Sequence, residues 1–594
     1  MPRRTRWHPQ PRSFLSLAAI VSFLFPLTAS RAFGAWPSDG LPIAAVSGRQ
    51  DLPRGISAPN GDVLVFWSEF AGSPYVLFAQ RITVQGTVAS GWQGSGRGVV
   101  EAPAFFSAPD VEHDGFGGYL LAWYDVRTTG GSRGIYSHRI DAEAAASPGW
   151  SFSGTAICTT STIINYGFDM CRDGAGGAFV AWTDSRNTPP NSTIVYDVFA
   201  HHVRGDGTLD PAWPSQGRSL TTGPGYKYPW AMIADDAGGF WRVSENSIET
   251  SKITVTHHAA DGSERGAWTT PSFASHPAAV SDGTGGIYFT WEDFRDYLQP
   301  PPGDAIYAMR LDSNATPHFG WASDGVLVAG SARTDKLPTI TATGDGAVVI
   351  SWLETGGTPD DEFIAQRVEA NGTLTPGWPA GGRRFARSSD ILDGWPLAVP
   401  DGAGGAMFAF RRNTPNLFGS RVTKTGSVPP SFPDTGLSLC SVSGNQFLQS
   451  MVSDGLNGAY VIWEDWRNGS NNSDVYAMRF TRDGRVADTT TVSPTPPPTP
   501  SGAQVALSQP RPNPTFGTSA FRLTLSAGTH ARVEIIDLSG RRVAILLDEA
   551  VSAGTIDLVW DGLDDERRLT PPGVYLLRAR AGSEDVSRRI VRLE

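Results

Sequence analysis

Apolar residues in this chain come in short runs that end in tryptophan and are introduced by a glycine-rich turn. The clearest copies are DGAGGAFVAWTDSR (Asp173–Arg186), DGTGGIYFTWEDFR (Asp282–Arg295) and DGLNGAYVIWEDWR (Asp454–Arg467). The aligned Trp position falls at Trp67, Trp123, Trp182, Ser244, Trp291, Trp352, Phe410 and Trp463, so the interval runs from 47 residues (Ser244 to Trp291) to 62 (Trp182 to Ser244). The runs are continuous rather than alternating, as in a strand covered on both faces. Each repeat predicts three further strands. One precedes the turn (His276–Val280, Trp395–Val399, Tyr228–Met232), and a third ends in Arg (Ile306–Arg310, Val475–Arg479). After a polar turn and a second Trp (Trp92, Trp150, Trp213, Trp268, Trp321, Trp378) comes a short fourth strand such as Gly325–Ala329. Four strands per repeat, this period and no sustained helical periodicity imply an all-β chain, an eight-bladed β-propeller rather than a helical solenoid.

The ends of the array predict how it closes. The last copy stops after Asp483–Val486 without its Trp and fourth strand, and Trp36–Ala44 (WPSDGLPIA) matches Trp321–Ala329 (WASDGVLVA). An N-terminal strand clasping the final blade would leave no bare edge. The propeller is therefore expected over residues 36–486. Before it, Arg3, Arg4, Arg6 and Arg12 precede an apolar stretch from Phe14 to Leu27, too short to span a bilayer and followed by small residues. That is the pattern of a signal peptide over residues 1–35, which makes the mature chain exported and without a transmembrane helix.

Residues 487–508 open with ADTTTVSPTPPPTPS, a stiff extended linker. Beyond it, residues 509–594 read as a small C-terminal Ig-like β-sandwich of about seven strands. Within that segment Pro512-Asn513-Pro514, Ile536–Val543 (IDLSGRRV), Trp560-Asp561-Gly562 and Gly573-Val574-Tyr575 occur in order. These phrases resemble the FlgD-type Ig-like domain and the C-terminal sorting domains of the type IX secretion system. Arg567 departs from the pattern, which has Gly in the turn after the Trp-Asp-Gly element, and a longer hairpin is expected there. The propeller repeats are likewise similar to those of large secreted bacterial proteins with such tails. The resemblance implies the type IX secretion machinery as a partner and a secreted or cell-surface location. The alternative is a plain structural Ig module.

A net charge of −11 and a pI near 5.5 exclude a general nucleic-acid binder. Three cysteines are too few for a disulfide framework, although Cys158 and Cys171 are close enough in sequence to pair across neighbouring strands.

Four classes of side chain carry candidate chemistry. The Trp-x-Asp-x-Arg element recurs at Trp123/Asp125/Arg127, Trp182/Asp184/Arg186, Trp291/Asp293/Arg295 and Trp463/Asp465/Arg467, and is missing at Ser244. Period two puts its three side chains on one strand face, a structural staple expected between blades. Asp110, Glu112 and Asp169 are the carboxylates of the otherwise apolar innermost strands, weak catalytic candidates for a glycoside hydrolase or lyase. His201-His202 and His257-His258 are expected at equivalent third-strand positions, and at most one His of each pair could face a metal; no metal or cofactor is expected. Phe105, Tyr166, Tyr226, Tyr228, Trp395 and Trp466, with Phe106, Tyr297 and Phe447, fall on loops of one face and are candidates to bind an extracellular polysaccharide or a peptide. The reading favoured is a non-catalytic binding or adhesion module, and the test between binder and enzyme is whether the three carboxylates converge in one pocket.

Overall fold

The computed structural model describes residues 36–486 and 505–592 apart from short internal segments, the longest of them 126–132 and 296–303. The predicted signal peptide, Phe105, Phe106, Arg127, Tyr297 and the Pro512-Asn513-Pro514 phrase lie outside the described residues. The chain separates into two compact units, 1–489 and 490–594. Among the described residues there is no α-helix, and none long and apolar enough to cross a membrane.

In the first unit the described strands form eight four-stranded antiparallel sheets, propeller-like blades numbered 1 to 8 in chain order. Their first strands are Arg49–Ser57, Asp110–His113, Ile163–Arg172, Lys227–Ala234, Ala274–Ser281, Thr334–Ala342, Leu397–Pro400 and Gln446–Ser453. Each first strand packs against the next, and that of sheet 8 packs back on that of sheet 1. Sheet 8 is completed by Leu41–Ala44, which pairs antiparallel with Asp474–Thr481 (Leu41 opposite Ala477).

The second strands explain the continuous apolar runs. Tyr119–Asp125, Ala178–Asp184 and Ile287–Asp293 are buried at every position, since each lies between two strands of its own sheet and two neighbouring sheets. The turn before them is held by its own aspartate. Asp282 Oδ1 accepts from the N–H groups of Thr284 and Gly286 (2.7 and 2.8 Å). Glycine is required at Gly177, where a Cβ would stand 2.2 Å from the Val203 carbonyl. The Arg ending the third strand closes the unit: Arg310 pairs with Asp282 (2.8 Å), Arg421 with Asp401 (2.7 Å) and Arg479 with Asp454 (2.5 Å).

All three cysteines are free and buried, so Cys158 and Cys171 do not pair. Cys158 Sγ instead lies 3.2 Å from a guanidinium nitrogen of Arg186.

In the second unit a three-stranded sheet (Val505–Leu507, Ser519–Leu525, Gly554–Trp560) and a four-stranded sheet (Arg542–Val551, Thr529–Asp537, Gly573–Ala581, Glu584–Arg592) share one core. Val505–Leu507, counted in the linker from sequence, is thus part of a sheet. Trp560 is fully buried edge-on to Tyr575, whose hydroxyl donates to the Pro571 carbonyl (2.6 Å). The expected longer hairpin at Arg567 is replaced by a tight turn. Arg567 itself takes a left-handed φ of 63°, its N–H bonds the Asp564 carbonyl (2.9 Å), and its guanidinium reaches Asp561 (2.8 Å).

Candidate functional site

At one register position the innermost strands present, from sheet 1 to sheet 8, Arg54, Asp110, Asp169, Ala231, Ala278, Thr339, Leu397 and Ser450, each opposite the residue just before the aligned Trp position. All the charge of this layer sits on sheets 1 to 3. Asp110 Oδ1 accepts from Val111 N–H (2.9 Å), and Asp169 accepts from the N–H groups of Met170 (2.9 Å) and of Met232 in sheet 4 (2.6 Å). The two carboxyls also meet each other across the boundary of sheets 2 and 3. Burial pushes Asp110 up. Burial, and then the charge of Asp110, pushes Asp169 well above the ordinary carboxylate range. Oδ2 of Asp110 is buried without a conventional partner among the described residues. A proton held between the carboxyls supplies the missing donor, because like charges this close do not both ionise.

Glu112 stands apart from that pair, engaged by Arg172 (2.9 Å), which also binds Asp236 (2.6 Å). Two of the three carboxylates therefore converge and the third is taken. Glycoside cleavage needs a substrate, and often a water, between its two carboxyls. Asp110 and Asp169 leave no such gap.

One step towards the loop face the innermost strands bulge, and here the aromatic side chains gather. In sheet 4 the register breaks around Trp230, and in sheet 5 around His276-Pro277. Trp395 stands just before the first strand of sheet 7. The His276 ring lies 5.8 Å from the Trp230 ring, edge-on, and 5.8 Å from the Trp395 ring. Trp230 remains 37% exposed and Trp395 44%. His276 Nδ1 is 3.0 Å from Glu292 Oε2, and its backbone N–H donates to Glu245 Oε2 (3.3 Å). The hydrogen bond to Glu292, more than burial opposes it, raises the pKa of the imidazole.

Tyr226, Tyr228, Phe447 and Trp466 are occupied. Tyr226 and Tyr228 pack on Tyr196 (4.5 and 6.3 Å), and Trp466 donates to Glu464 (2.7 Å) with Phe447 edge-on and Arg49 over its face. Tyr166 lies on the first strand of sheet 3. Trp230 was missed as a ligand contact because aligning the prolines sets Tyr228 beside His276 and Trp395. Counting back from the turn keeps His276, Leu337 and Trp395 at one position and puts Trp230, not Tyr228, on its turn side in sheet 4.

The histidine pairs prove to be one residue out of register: His202 lies opposite Phe179 and His257 opposite Trp241, the equivalent positions. Both take the place of the third-strand Arg, since His202 Nε2 binds Asp173 (2.9 Å) and His257 Nε2 binds Asp235 (2.9 Å). His201 Nδ1 bonds the His202 carbonyl (2.9 Å) and His258 Nε2 bonds Thr256 Oγ1 (2.8 Å), while burial drops the His258 pKa to about 3. Among the described residues no group of three or more His, Cys, Asp or Glu side chains is placed to hold a metal.

The staple expected between blades at Asp125, Asp184, Asp293 and Asp465 has its carboxylate bonds to Trp and Arg within each sheet, and among the described residues only the arginines reach the preceding sheet, Arg186 at Cys158 (3.2 Å) and Arg467 at Cys440 (3.7 Å). Trp291 Nε1 donates to Asp293 (2.8 Å), Arg295 pairs with the same carboxylate (2.8 Å), and Arg295 also lies over Tyr307 of the third strand and binds the Asp324 carbonyl ahead of the fourth. Asp465 departs from the expectation in the same way. It is fully buried, and it accepts from Trp463 Nε1 (2.7 Å), from the Arg467 backbone N–H (2.9 Å) and from the Arg467 guanidinium (2.6 Å). Both donor residues of Asp465 thus lie two positions away along its own chain, and among the described residues no neighbouring sheet supplies another. Arg467 then lies over Tyr476 and reaches the Asp39 carbonyl of the clasp, which is part of sheet 8. Asp184 does the same with Trp182 and Arg186, and Arg186 continues to Phe199 and the Gln216 carbonyl. Asp125 takes the indole N–H of Trp123 (3.3 Å). The physical reason is reach: at period two the Asp faces its own Trp and Arg before anything across the sheet boundary. A bridge between sheets is made by the second Trp in four repeats, whose indole N–H reaches the polar turn of the next sheet: Trp150 to the Gly205 carbonyl, Trp213 to Ala260, Trp321 to Ala370 and Trp378 to Lys424, at 2.9 to 3.0 Å.

No protein-family model matches the chain, and no curated protein matches it either. Solved structures similar to it include a protein of unknown function from Dyadobacter fermentans (TM-score 0.34, 12% identity, 76% of this chain and 100% of that one). Others are the β-propeller domain of the trilobed protease from Pyrococcus furiosus (0.37, 8%, 64% and 97%) and an α-L-arabinanase from Penicillium chrysogenum in complex with arabinobiose (0.30, 11%, 75% and 98%). No activity passes from them to this chain.

Proposed function

We propose that this is an exported, eight-bladed, ring-closed β-propeller that acts as a binding or adhesion module, joined by a Thr/Pro-rich linker to an Ig-like sandwich that directs type IX secretion or surface attachment. The observation that carries the binding reading is the exposure of Trp230 and Trp395 beside His276 where the bulged innermost strands meet the loop face. Exposed rings held on rigid strands give contact area at small entropic cost, which suits an extended sugar or peptide polymer. A glycan and peptide array probed with the full chain tests it. Binding to at least one extended polymer is expected, weakened in Trp395→Ala and unchanged in Glu112→Gln. An array with no bound polymer would sink the reading.

The second reading is a glycoside hydrolase or lyase; what speaks for it is the protonated carboxyl held beside an ionised one at Asp110 and Asp169, and it requires the two to part around a substrate. Turnover of a glycan, lost in both Asp110→Asn and Asp169→Asn, would replace the binding reading with this one.

For the tail, support comes from the phrases Ile536–Val543, Trp560–Gly562 and Gly573–Tyr575 and from its separate core. Removing residues 505–594 should leave the chain stalled in the periplasm of its host while the propeller stays folded. Normal surface delivery of that truncation would leave only a structural Ig module.

A further inference from the structure

Trp230, His276 and Trp395 come from sheets 4, 5 and 7, so the cluster skips sheet 6. Sheet 6 contributes Leu337 at the register position of His276 and Trp395. In a ring of eight first strands, side chains from sheets 5 and 7 can touch only by leaning over the ring opening, so the cluster stands at the mouth rather than on an outer rim. The left-handed φ of His276 (49°) belongs to the bulge itself, because Leu52 and Leu337 share it (57° each). What is particular to this part of the ring is the chemistry: two half-exposed indoles around an imidazole, in place of the leucines of sheets 1 and 6.

The polar groups of the cluster narrow the ligand. His276 Nδ1 is committed to Glu292 and Ser275 (3.0 Å each), which leaves Nε2 without a bond to any described residue and free to donate to a hydroxyl. Glu245 and Glu292 put two carboxylates against a single imidazolium, while Asp304 near Glu292 is faced by Lys336. This surround opposes an anionic ligand. Indole faces take the apolar C–H face of a sugar ring, and an imidazole donor takes its hydroxyl edge.

We propose that Trp230, His276 and Trp395 form a subsite for one neutral hexopyranose residue of an extended glycan, an assignment that rests on the binding reading above. The test uses the full chain and four probes in titration calorimetry and tryptophan fluorescence: cellohexaose, laminarihexaose and mannohexaose as neutral ligands, and hexagalacturonate as the anionic one. At least one neutral hexamer should bind better than hexagalacturonate and shift the indole emission. Trp230→Ala and Trp395→Ala should each weaken that binding by about 10-fold. Phe319→Ala, which removes an exposed ring on the polar turn of sheet 5, should leave it within about 2-fold. A neutral hexamer that binds equally well to wild type, Trp230→Ala and Trp395→Ala overturns the subsite and leaves the binding module standing. Tighter binding of hexagalacturonate overturns the ligand class. No binding of any neutral hexamer overturns the subsite outright, and the array of glycans and peptides then decides whether the module reading falls with it. Urea melts of both Trp variants separate a lost contact from a lost fold.

Discussion

Asp335 lies fully buried on the first strand of sheet 6, where Trp352 Nε1 donates to its Oδ1 (2.9 Å). Sheet 6 has Glu354 where sheets 2, 3, 5 and 8 have the Asp of Trp-x-Asp, so Asp335 supplies from the neighbouring strand the acceptor that the indole needs. The cost is electrostatic: burial, and then the nearby charge of Glu354, pushes the Asp335 carboxyl up to about 7. An acid whose pKa is raised on folding binds its proton more tightly in the native state. Its contribution to stability is therefore full below the unfolded value near 4 and is lost as pH rises through about 7. The loss amounts to at most about 4 kcal/mol. Asp335→Asn keeps an acceptor for Trp352 and removes the titration. The urea midpoint of the propeller transition should fall between pH 5 and pH 8 in the wild type and fall less in Asp335→Asn; identical slopes would refute the assignment. Arg567 offers a second test at this scale. Its left-handed φ costs about 1 kcal/mol for a side chain with a Cβ, and its pair with Asp561 is exposed and worth little. Arg567→Gly should raise the melting temperature of the tail unit, and a lowered one would mean that the pair outweighs the strain.

At the scale of the element, the repeated Trp-x-Asp-x-Arg phrase is a clamp on the fourth strand. Asp293 is buried and takes hydrogen bonds from Trp291, from the backbone and guanidinium of Arg295, and from Ser272. Asp293→Ala leaves an indole N–H and a guanidinium without their acceptor and should destabilise the propeller by about 3 kcal/mol in urea melts, as breaking a buried pair does. A loss below about 1 kcal/mol would mean that solvent replaces the carboxylate. The presence of this element, its Trp position and its failure at Ser244 were legible in the sequence, because a buried run between Gly and Trp has one physical meaning. Its direction was not. Period two shows that three side chains share a strand face but not whether that face looks to the next sheet or back along its own. Here Arg295 turns back over Tyr307, and Arg467, paired with Asp465, turns back over Tyr476. The second Trp was legible as a position but not as the inter-sheet contact, since its partner is a backbone carbonyl that carries no sequence signature. The same holds for the site. Asp110 and Asp169 stand at equivalent positions of consecutive repeats, which was readable, whereas their mutual contact depends on the spacing of sheets 2 and 3. Trp230 escaped because one bulge moves the proline by a residue and breaks the alignment on which the comparison rests.

At the scale of the whole molecule, the ring is joined where the two ends of the propeller segment meet. Sheet 8 has three strands of its own, and Leu41–Ala44 is the fourth. Around it the clasp repeats two contacts that the other sheets make. Trp36 Nε1 donates to the Val84 carbonyl of sheet 1 (2.9 Å), as Trp321 does to Ala370 one sheet on. The Asp39 carbonyl accepts from Arg467 (2.8 Å), as that of Asp324 does from Arg295. Gly40, at φ 96°, lies where a Cβ would stand 2.4 Å from the Trp463 ring, so the indole fills the space under the clasp. Further bonds cross the same seam, among them Tyr460 hydroxyl to the Gly61 carbonyl (2.6 Å), Gln50 N–H to the Ser473 carbonyl (2.8 Å), Gly55 N–H to Ser450 Oγ (3.2 Å) and Leu52 N–H to Glu464 (3.5 Å). Deleting residues 36–45 removes the Trp36 bridge, uncovers Trp463 and bares the Asp474–Thr481 strand as an unpaired edge, a template for another chain. The deletion should melt well below the wild type and sediment as higher oligomers. Trp36→Ala, which keeps the strand pairing and loses one buried indole, should cost about 3–5 kcal/mol and stay monomeric. Separating the two outcomes matters: if both variants lose stability but neither associates, sheet 8 protects its own edge and the clasp acts only through the Trp36 contact, whereas an unchanged melting temperature in the deletion would mean that the seam holds without it.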